Sequence, residues 1–376
     1  MKSKYPNLDK IDDPSDLKNF SPDELSRLSK ELREFLIESV SKTGGHLAAG
    51  LGAVDITIAV HYVFDAPKDK IIWDVGHQCY PHKILTGRKK MMGSLRKIDG
   101  ISGFLKRDES EYDAFGAGHS STSISAAIGY DAASKINGIN RNILAIIGDG
   151  GLTAGMAYEA LSHAGDIKSN ILVILNDNDM SISPNVGAIN KYLTRILTGK
   201  TYSNLKENSK KIFAKVKVIE DIAKKVENQA KGLITPGLLF EEMGFKYYGP
   251  VDGHDVENLV NVLDNLKNKD GPRMLHIVTR KGKGYKLAEQ NPITYHGVTP
   301  FDIKTGKTKS NKIDNKLTYT QVFGKWINEL AKVDKKCVAI TPAMREGSGL
   351  VEFEKNHPNR YFDVGIAEQH AVTFAA

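Results

Sequence analysis

Two neighbouring segments, NILAIIGDGGLTAGMAYEALSHAG and NILVILNDNDMS, hold residues whose types and spacing suggest chemistry. Each opens with a short apolar, β-prone run that leads into an oxygen-bearing side chain, Asp149 in the first and Asn178 in the second. In open α/β sheets the C-terminal ends of the strands are where ligands bind. Asp149, Asn178 and a backbone carbonyl near Met180 are hard oxygen ligands of the kind Mg²⁺ takes, with phosphate and water filling the remaining positions. Gly148, Gly150 and Gly151 let backbone approach a diphosphate, and a helix N-terminus after Gly151 adds donors and a positive dipole end. An isolated GDG is commonly a turn; the paired strand ends are the stronger signal.

Histidines form a second group. His46 in TGGH, His77 and His82 in VGHQCYPHK, His119 in GAGHS and His296 in TYHGV all sit beside Gly, Pro or Tyr in loop-like contexts. Taken singly, each reads more readily as a structural or surface group. Glu368, in DVGIAEQHAV, occupies the first turn of an expected helix, where a glutamate is ordinarily a favourable dipole partner. Tyr285 closes RKGKGY after an expected strand and reads as an aromatic with a polar tip; Lys281 and Lys283 read equally well as a solvated charge run.

These residues need a frame. Residues 21 to 43 open with Ser and Pro and then run apolar at helical spacing through Leu25, Leu28, Leu32, Phe35 and Leu36, an amphipathic helix. Apolar runs near 70–76, 142–150, 170–177 and 274–282 alternate with helical segments, the pattern of parallel strands joined by crossovers. The expected fold class is α/β, an open and mostly parallel sheet with helices on both faces. A Lys-rich, sparsely apolar excursion near 183–235 is expected to be mobile. Residues 302–317 read as an interdomain linker. That divides the chain into 1–301, the linker, and the beginning of a second α/β domain at 318–376, which stops inside an expected helix as the front part of a longer protein or a split subunit would.

Composition narrows the class. The chain has 376 residues, 52 Lys+Arg against 45 Asp+Glu, 40% hydrophobic residues and two cysteines. Disorder and a disulfide framework are both disfavoured, and a reducing, cytoplasmic setting is expected. The net charge of +7 suits phosphorylated small molecules as well as nucleic acid. No zinc-finger spacing or RNA-binding aromatic motif favours nucleic acid, and no apolar run is long enough for a membrane span; neither partner is expected.

The GDG and NDN pair resembles the thiamine diphosphate motif of transketolase-like enzymes. The segments TGGHLAAGLGAVDITIAVHYVFD, WDVGHQCYPHKILTGR, GAGHSSTSISAAIGYDAA, LFEEMGFKYYGPVDGHD, RKGKGY, ITPAMREGSGL and YFDVGIAEQHAV sharpen the resemblance to the 1-deoxy-D-xylulose-5-phosphate synthases, from about residue 43 to the last. Transketolases and 2-oxo acid dehydrogenases share GDG and NDN; PVDGHD, YPHKILTGR and PAMREGSG favour the synthases.

The resemblance implies thiamine diphosphate and Mg²⁺ as cofactors, pyruvate and D-glyceraldehyde 3-phosphate as substrates, and a homodimer. The implied product, 1-deoxy-D-xylulose 5-phosphate, feeds isoprenoid, thiamine and pyridoxal synthesis. By the same resemblance His77, Gly118, His119, Ser120, Gly150, Gly151, Asn178 and Tyr285 contact the cofactor, and Asp149, Asn178 and Met180 hold the metal. His46 and His296 line the channel where substrate meets cofactor, and Glu368 hydrogen-bonds the aminopyrimidine ring. Neutral imidazoles suit such a channel, since they donate to phosphate or pass a proton near neutral pH. A cofactor-binding fragment without activity, or one half of a split enzyme, is the alternative. The sequence departs from the family pattern at Gly151, where Ala is common, and at Cys79, where Ala or Ser is usual.

Overall fold

The structure is a computed structural model that describes residues 3–178, 237–308 and 316–376. Met180, the expected Lys-rich excursion and residues 309–315 of the expected linker lie outside them. Helix α1 (Pro22–Thr43) starts as its sequence predicts: Ser21 accepts from the Glu24 amide, the Glu24 carboxylate accepts from the Ser21 amide, and Pro22 takes the first turn, where its missing N–H costs nothing. Leu25, Leu28, Leu32 and Leu36 form its buried stripe.

Five strands, β1 (Lys70–Trp73), β2 (Ile143–Gly148), β3 (Leu172–Asp177), β4 (Lys246–Asp252) and β5 (Arg273–Val278), form one wholly parallel sheet in the order β1-β2-β3-β5-β4. Side chains alternate across it. Ile71, Trp73, Leu144, Ile146, Ile174, Leu275 and Ile277 share one core with α1, α2 (Val54–Val63) and α5 (Val256–Lys267). Ile72, Ile143, Ala145, Ile147, Val173, Leu175 and Met274 share the other with α3 (Ser123–Ile136) and α4 (Gly155–Asp166). Burial on both faces explains why the strands read as continuous apolar runs without alternation. The exception is β4, an edge strand carrying a bulge between Tyr248 and Val251 and mostly half-exposed; KYYGPVD lacks the apolar run that marked the other four.

Close approach demands glycine at one packing point. A Cβ on Gly165, in α4, would lie 1.8 Å from the Met243 carbonyl oxygen. Among the described residues of the expected linker, 302–308 turn back on the first unit: Phe301 bridges Thr308, Phe301 is buried, and Ile303 packs on the core.

The C-terminal unit comprises α6 (Tyr319–Val333), β6 (Ala339–Thr341), α7 (Val351–Asn356), β7 (Tyr361–Asp363) and α8 (Glu368–Ala375). β6 and β7 pair in parallel, and Ile327, Ala331, Ala339, Leu350 and Phe353 make a small core. Thr318 and Gln321 cap α6 reciprocally. The Arg360 guanidinium donates to the Ala331, Asp334 and Cys337 carbonyls at the other end of that helix.

Candidate active site

Every strand of the large sheet delivers a polar group just past its C-terminal end: Asp74 after β1, Asp149 after β2, Asn178 after β3, His254 after β4 and Lys281 after β5. Parallel pairing puts these ends on one edge, so residues spread over more than two hundred positions share a neighbourhood.

Asp149 is 1% exposed. Burial, reinforced by the Asp177 carboxylate, pushes its carboxyl up to about 7, against the pull of the Lys281 ammonium and the Asn178 amide. Lys281 is itself buried at 8% exposure, and desolvation draws it down to about 8 despite Asp149. From the sequence Lys281 reads equally well as a solvated surface charge; only its burial after β5 marks it as part of the site. The amide oxygen of Asn178 is buried and meets no hydrogen-bond donor among the described residues. A carboxylate and an unsatisfied amide oxygen on adjacent strand ends, with an ammonium beside them, fit a divalent cation carrying a diphosphate. Met180 lies outside the described residues.

The turn after β2 differs in detail from expectation. A helical turn begins at Asp149 itself, includes Gly150 and Gly151, and ends at Leu152. Ala154, in an extended conformation, interrupts it before α4 begins at Gly155. The donors expected after Gly151 are therefore those of this one turn. A Cβ on Gly151 would sit 2.9 Å from the Asp74 Oδ1.

Asp74 was not singled out from sequence, although it follows β1 as Asp149 follows β2. It is 2% exposed, and its carboxylate accepts from the Ser121 amide at 2.7 Å and the Ser123 amide at 3.1 Å. The Ser121 hydroxyl donates to the Gly151 carbonyl at 2.7 Å. These bonds tie the Gly118-His119-Ser120 loop to the Asp149 turn. Burial raises the Asp74 carboxyl, opposed by the amides it accepts.

His46, His77 and His296 come together. His46 lies on a short strand, Gly45–His46, paired antiparallel with Gly297–Val298, which sets His296 beside it. His77 arrives through two positive-φ residues after β1, Val75 and Gly76. Ring centroids are 5.8 Å apart for His46 and His77, 5.6 Å for His46 and His296, and 5.4 Å for His77 and His296. Phe104 packs 5.4 Å from His46, and the Tyr80 hydroxyl accepts from the His46 amide at 3.2 Å. A Cβ on Gly45 would fall 2.6 Å from that hydroxyl, and Gly45 has φ +129°.

Burial holds all three imidazoles neutral. His46 is lowered to about 4, with Arg96 adding to desolvation, and His296 to about 4, with Lys281 adding; His77 is pushed well below the usual histidine range by burial, then His296 and His46. The Nδ1 atoms of all three are buried without a hydrogen-bond partner among the described residues. Three neutral rings with unused nitrogens around one space can bind oxygen without adding charge. His82 belongs elsewhere: it is fully buried between His61 and Asp113, in a network with Arg88.

His119 is exposed and bridges the two units. Its Nδ1 lies 3.1 Å from the Ser120 carbonyl and its Nε2 2.9 Å from Glu368 Oε1. Both partners are acceptors, so the ring is held toward imidazolium, raised by the Ser120 carbonyl and then by Glu368. Glu368 is the first residue of α8, so its carboxylate reaches back from the second unit to the glycine loop of the first.

Tyr285 stands apart. Its ring packs on Tyr295 and Phe301 and its hydroxyl donates to the Ile303 carbonyl at 2.9 Å. In this structure it braces the turn after Lys281 from behind.

The chain is similar to known proteins. Residues 8–279 match the family described as 1-deoxy-D-xylulose-5-phosphate synthase, and residues 315–376 match the transketolase pyrimidine binding domain. The 1-deoxy-D-xylulose-5-phosphate synthase of Chromobacterium violaceum is 58% identical over 371 residues, covering 99% of this chain and 60% of that protein. The one from Nitrosococcus oceani is 56% identical over 374 residues, covering 99% and 58%. The chain thus spans about 60% of the length of these relatives.

Among solved structures, transketolase from Campylobacter jejuni aligns with a TM-score of 0.55 at 18% identity, covering 92% of this chain and 61% of that one. Transketolase from Leishmania mexicana gives 0.51 at 18%, covering 89% and 48%. That likeness shows a transketolase-like α/β fold. The match over residues 8–279 goes further: the chain belongs to the 1-deoxy-D-xylulose-5-phosphate synthase family.

Proposed function

We propose that this chain carries the thiamine diphosphate and Mg²⁺ site of a 1-deoxy-D-xylulose-5-phosphate synthase. That enzyme decarboxylates pyruvate and transfers the remaining two-carbon unit to D-glyceraldehyde 3-phosphate, yielding 1-deoxy-D-xylulose 5-phosphate and CO₂. The observation that carries the proposal is the grouping of three neutral, half-buried histidines with buried Nδ1 atoms beside Asp149, Asn178 and Lys281.

Asp149, Asn178 and the Met180 carbonyl would hold Mg²⁺, and Lys281 with the Gly150-Gly151 backbone would face the diphosphate. His77 and the Gly118-His119-Ser120 loop would contact the cofactor, and Glu368 would hydrogen-bond its aminopyrimidine ring. When bound, thiamine diphosphate supplies the electron sink that decarboxylation of a 2-oxo acid requires. The chain's own residues bind, orient and exclude water. His46 and His296, neutral at pH 7, each offer one N–H and one lone pair. They can steady a ketone or aldehyde oxygen and pass a proton without drawing a counter-ion into the cleft.

In the proposed domain division the cofactor unit is 1–301 and a pyrimidine-binding unit begins at 318, with Glu368 reaching the first from the second. We also infer a homodimer, testable by sedimentation, and a cytoplasmic setting, supported by two free cysteines. No described helix is long and apolar enough to cross a membrane.

The test is product detection by mass spectrometry, incubating the chain with thiamine diphosphate, Mg²⁺, pyruvate and D-glyceraldehyde 3-phosphate. The proposal expects 1-deoxy-D-xylulose 5-phosphate, lost in Glu368→Ala. Cofactor binding without product favours a second reading, a binding unit that needs further chain for turnover. Exposed Tyr319, Trp326, Phe362 and Phe374 on the C-terminal unit support that alternative. Absence of cofactor binding overturns both.

A further inference from the structure

His254, in PVDGHD, lies far from the glycine turn and the channel histidines in sequence, and its motif was used above only to recognise the family. In the structure it joins two elements that do not otherwise explain it. Its Nε2 accepts from the Arg280 amide at 2.8 Å, and its Nδ1 lies 2.9 Å from Asp55 Oδ2.

The tautomer follows from the partners. A backbone N–H can only donate, so Nε2 must present its lone pair, and the ring proton on Nδ1 must point at the carboxylate. Asp55 is 2% exposed, on α2, and it also accepts from Ser29 and Arg33, one turn apart on α1. Burial would neutralise this carboxyl, but the His254 hydrogen bond and the Arg33 charge outweigh it and hold it below the usual aspartate range. The imidazole is thus gripped from the α1–α2 side at one nitrogen.

The other nitrogen grips the turn after β5. Three of that turn's amides donate to described groups outside it: Thr279 to the Asp177 carbonyl, Gly282 to the Ala48 carbonyl, and Arg280 to His254. Arg280 precedes Lys281, whose ammonium is buried against Asp149. Of these three amide bonds, His254 provides the acceptor for the one next to Lys281, and it is the one a side-chain substitution can remove.

We propose that His254 is a positioning residue: anchored on Asp55 through Nδ1–H, it holds the Arg280 amide through Nε2 and so fixes Lys281 beside Asp149. The consequence for function rests on the reading above of Lys281 as the cation facing a diphosphate.

Side-chain isosteres separate the two nitrogens. In His254→Asn the amide nitrogen replaces Nδ1–H and keeps a donor for Asp55, but no acceptor reaches Arg280. In His254→Gln the amide oxygen reaches the position of Nε2. Hydrogen exchange at the Arg280 amide and acetylation of Lys281 by acetic anhydride need no cofactor. Both should accelerate about tenfold in His254→Asn and His254→Ala, the loss of roughly one hydrogen bond, and stay near wild type in His254→Gln.

Thiamine diphosphate affinity, titrated with Mg²⁺ on the full chain, should weaken about tenfold in Asn and Ala and little in Gln. A merely structural histidine would show no split between Asn and Gln. Equal exchange in all three variants, or unchanged Lys281 labelling in Asn and Ala, overturns the proposal. If the wild type binds no thiamine diphosphate, the functional reading fails while labelling still decides the positioning role. Should the variants not fold, ¹⁵N NMR of the wild type decides: a proton on His254 Nε2 refutes it.

Discussion

Asp149→Asn should make the cofactor-free chain more stable at pH 8 while removing its stabilisation by Mg²⁺ and thiamine diphosphate. The buried carboxyl is raised from 3.8 to about 7. A group whose folded value lies above its unfolded value contributes stability that is present below the unfolded value and lost as pH rises through the folded one. Above pH 7 the wild type therefore carries the whole penalty, about 4 kcal/mol from a rise of roughly three units at 1.36 each.

Removing the charge strands Lys281. Its ammonium is already drawn down to about 8, so it can release its proton near that pH, returning roughly half of the gain. A net gain of about 2 kcal/mol corresponds to a rise in Tm of roughly 4 °C. The assay is thermal melting in chelator at pH 4, 5, 6, 7 and 8. The variant's advantage should be small at pH 4 and grow until about pH 7. With Mg²⁺ and thiamine diphosphate present the order should reverse, because only the wild type gains ligand stabilisation. A variant that melts below wild type at pH 8 in chelator, with a gap independent of pH, refutes the argument.

Four further outcomes are expected. Asp74→Asn turns one acceptor into a donor facing the Ser121 or Ser123 amide, which should cost about 2 kcal/mol and open residues 116–123 to limited proteolysis. Gly165→Ala drives a methyl into the Met243 carbonyl at 1.8 Å; melting should show a loss of at least about 2 kcal/mol, and an unchanged Tm would contradict the packing. Tyr285→Phe forfeits the bond to Ile303, about 1 kcal/mol, with cofactor affinity unchanged in calorimetry; a weakened affinity would return the hydroxyl to the cofactor. Glu368→Gln should lower the His119 titration midpoint by NMR, part of the rise remaining through the Ser120 carbonyl. Whatever stability the His119–Glu368 pair gives is present below the unfolded histidine value and fades as pH rises through the folded one.

Local rules sufficed wherever one segment carries its own instructions. The Ser21-Pro22-Glu24 start of α1 is a capping pattern in contiguous residues, and β1, β2, β3 and β5 announce themselves because both their faces are buried. Asp149 and Asn178 were legible because each lies just beyond an apolar run. β4 was not, since an edge strand with a bulge has no such run. The fate of Lys281 and Tyr285 was not legible either: RKGKGY states neither which lysine is buried nor where a tyrosine ring turns.

What the sequence by itself determined is the class of chemistry: hard oxygens at strand ends, histidines in glycine-bounded loops, and a family pattern along most of the chain. What only the tertiary structure decided is who meets whom. Parallel strand order brings Asp74, Asp149, Asn178, His254 and Lys281 to one edge, and the antiparallel pairing of residues 45–46 with 297–298 sets His46 beside His296. Burial then fixes the charge of several of them, holding His46 and His296 neutral, raising Asp149 and lowering Lys281. Desolvation depends on what packs around a group from distant parts of the chain, a quantity that spacing along one strand does not encode.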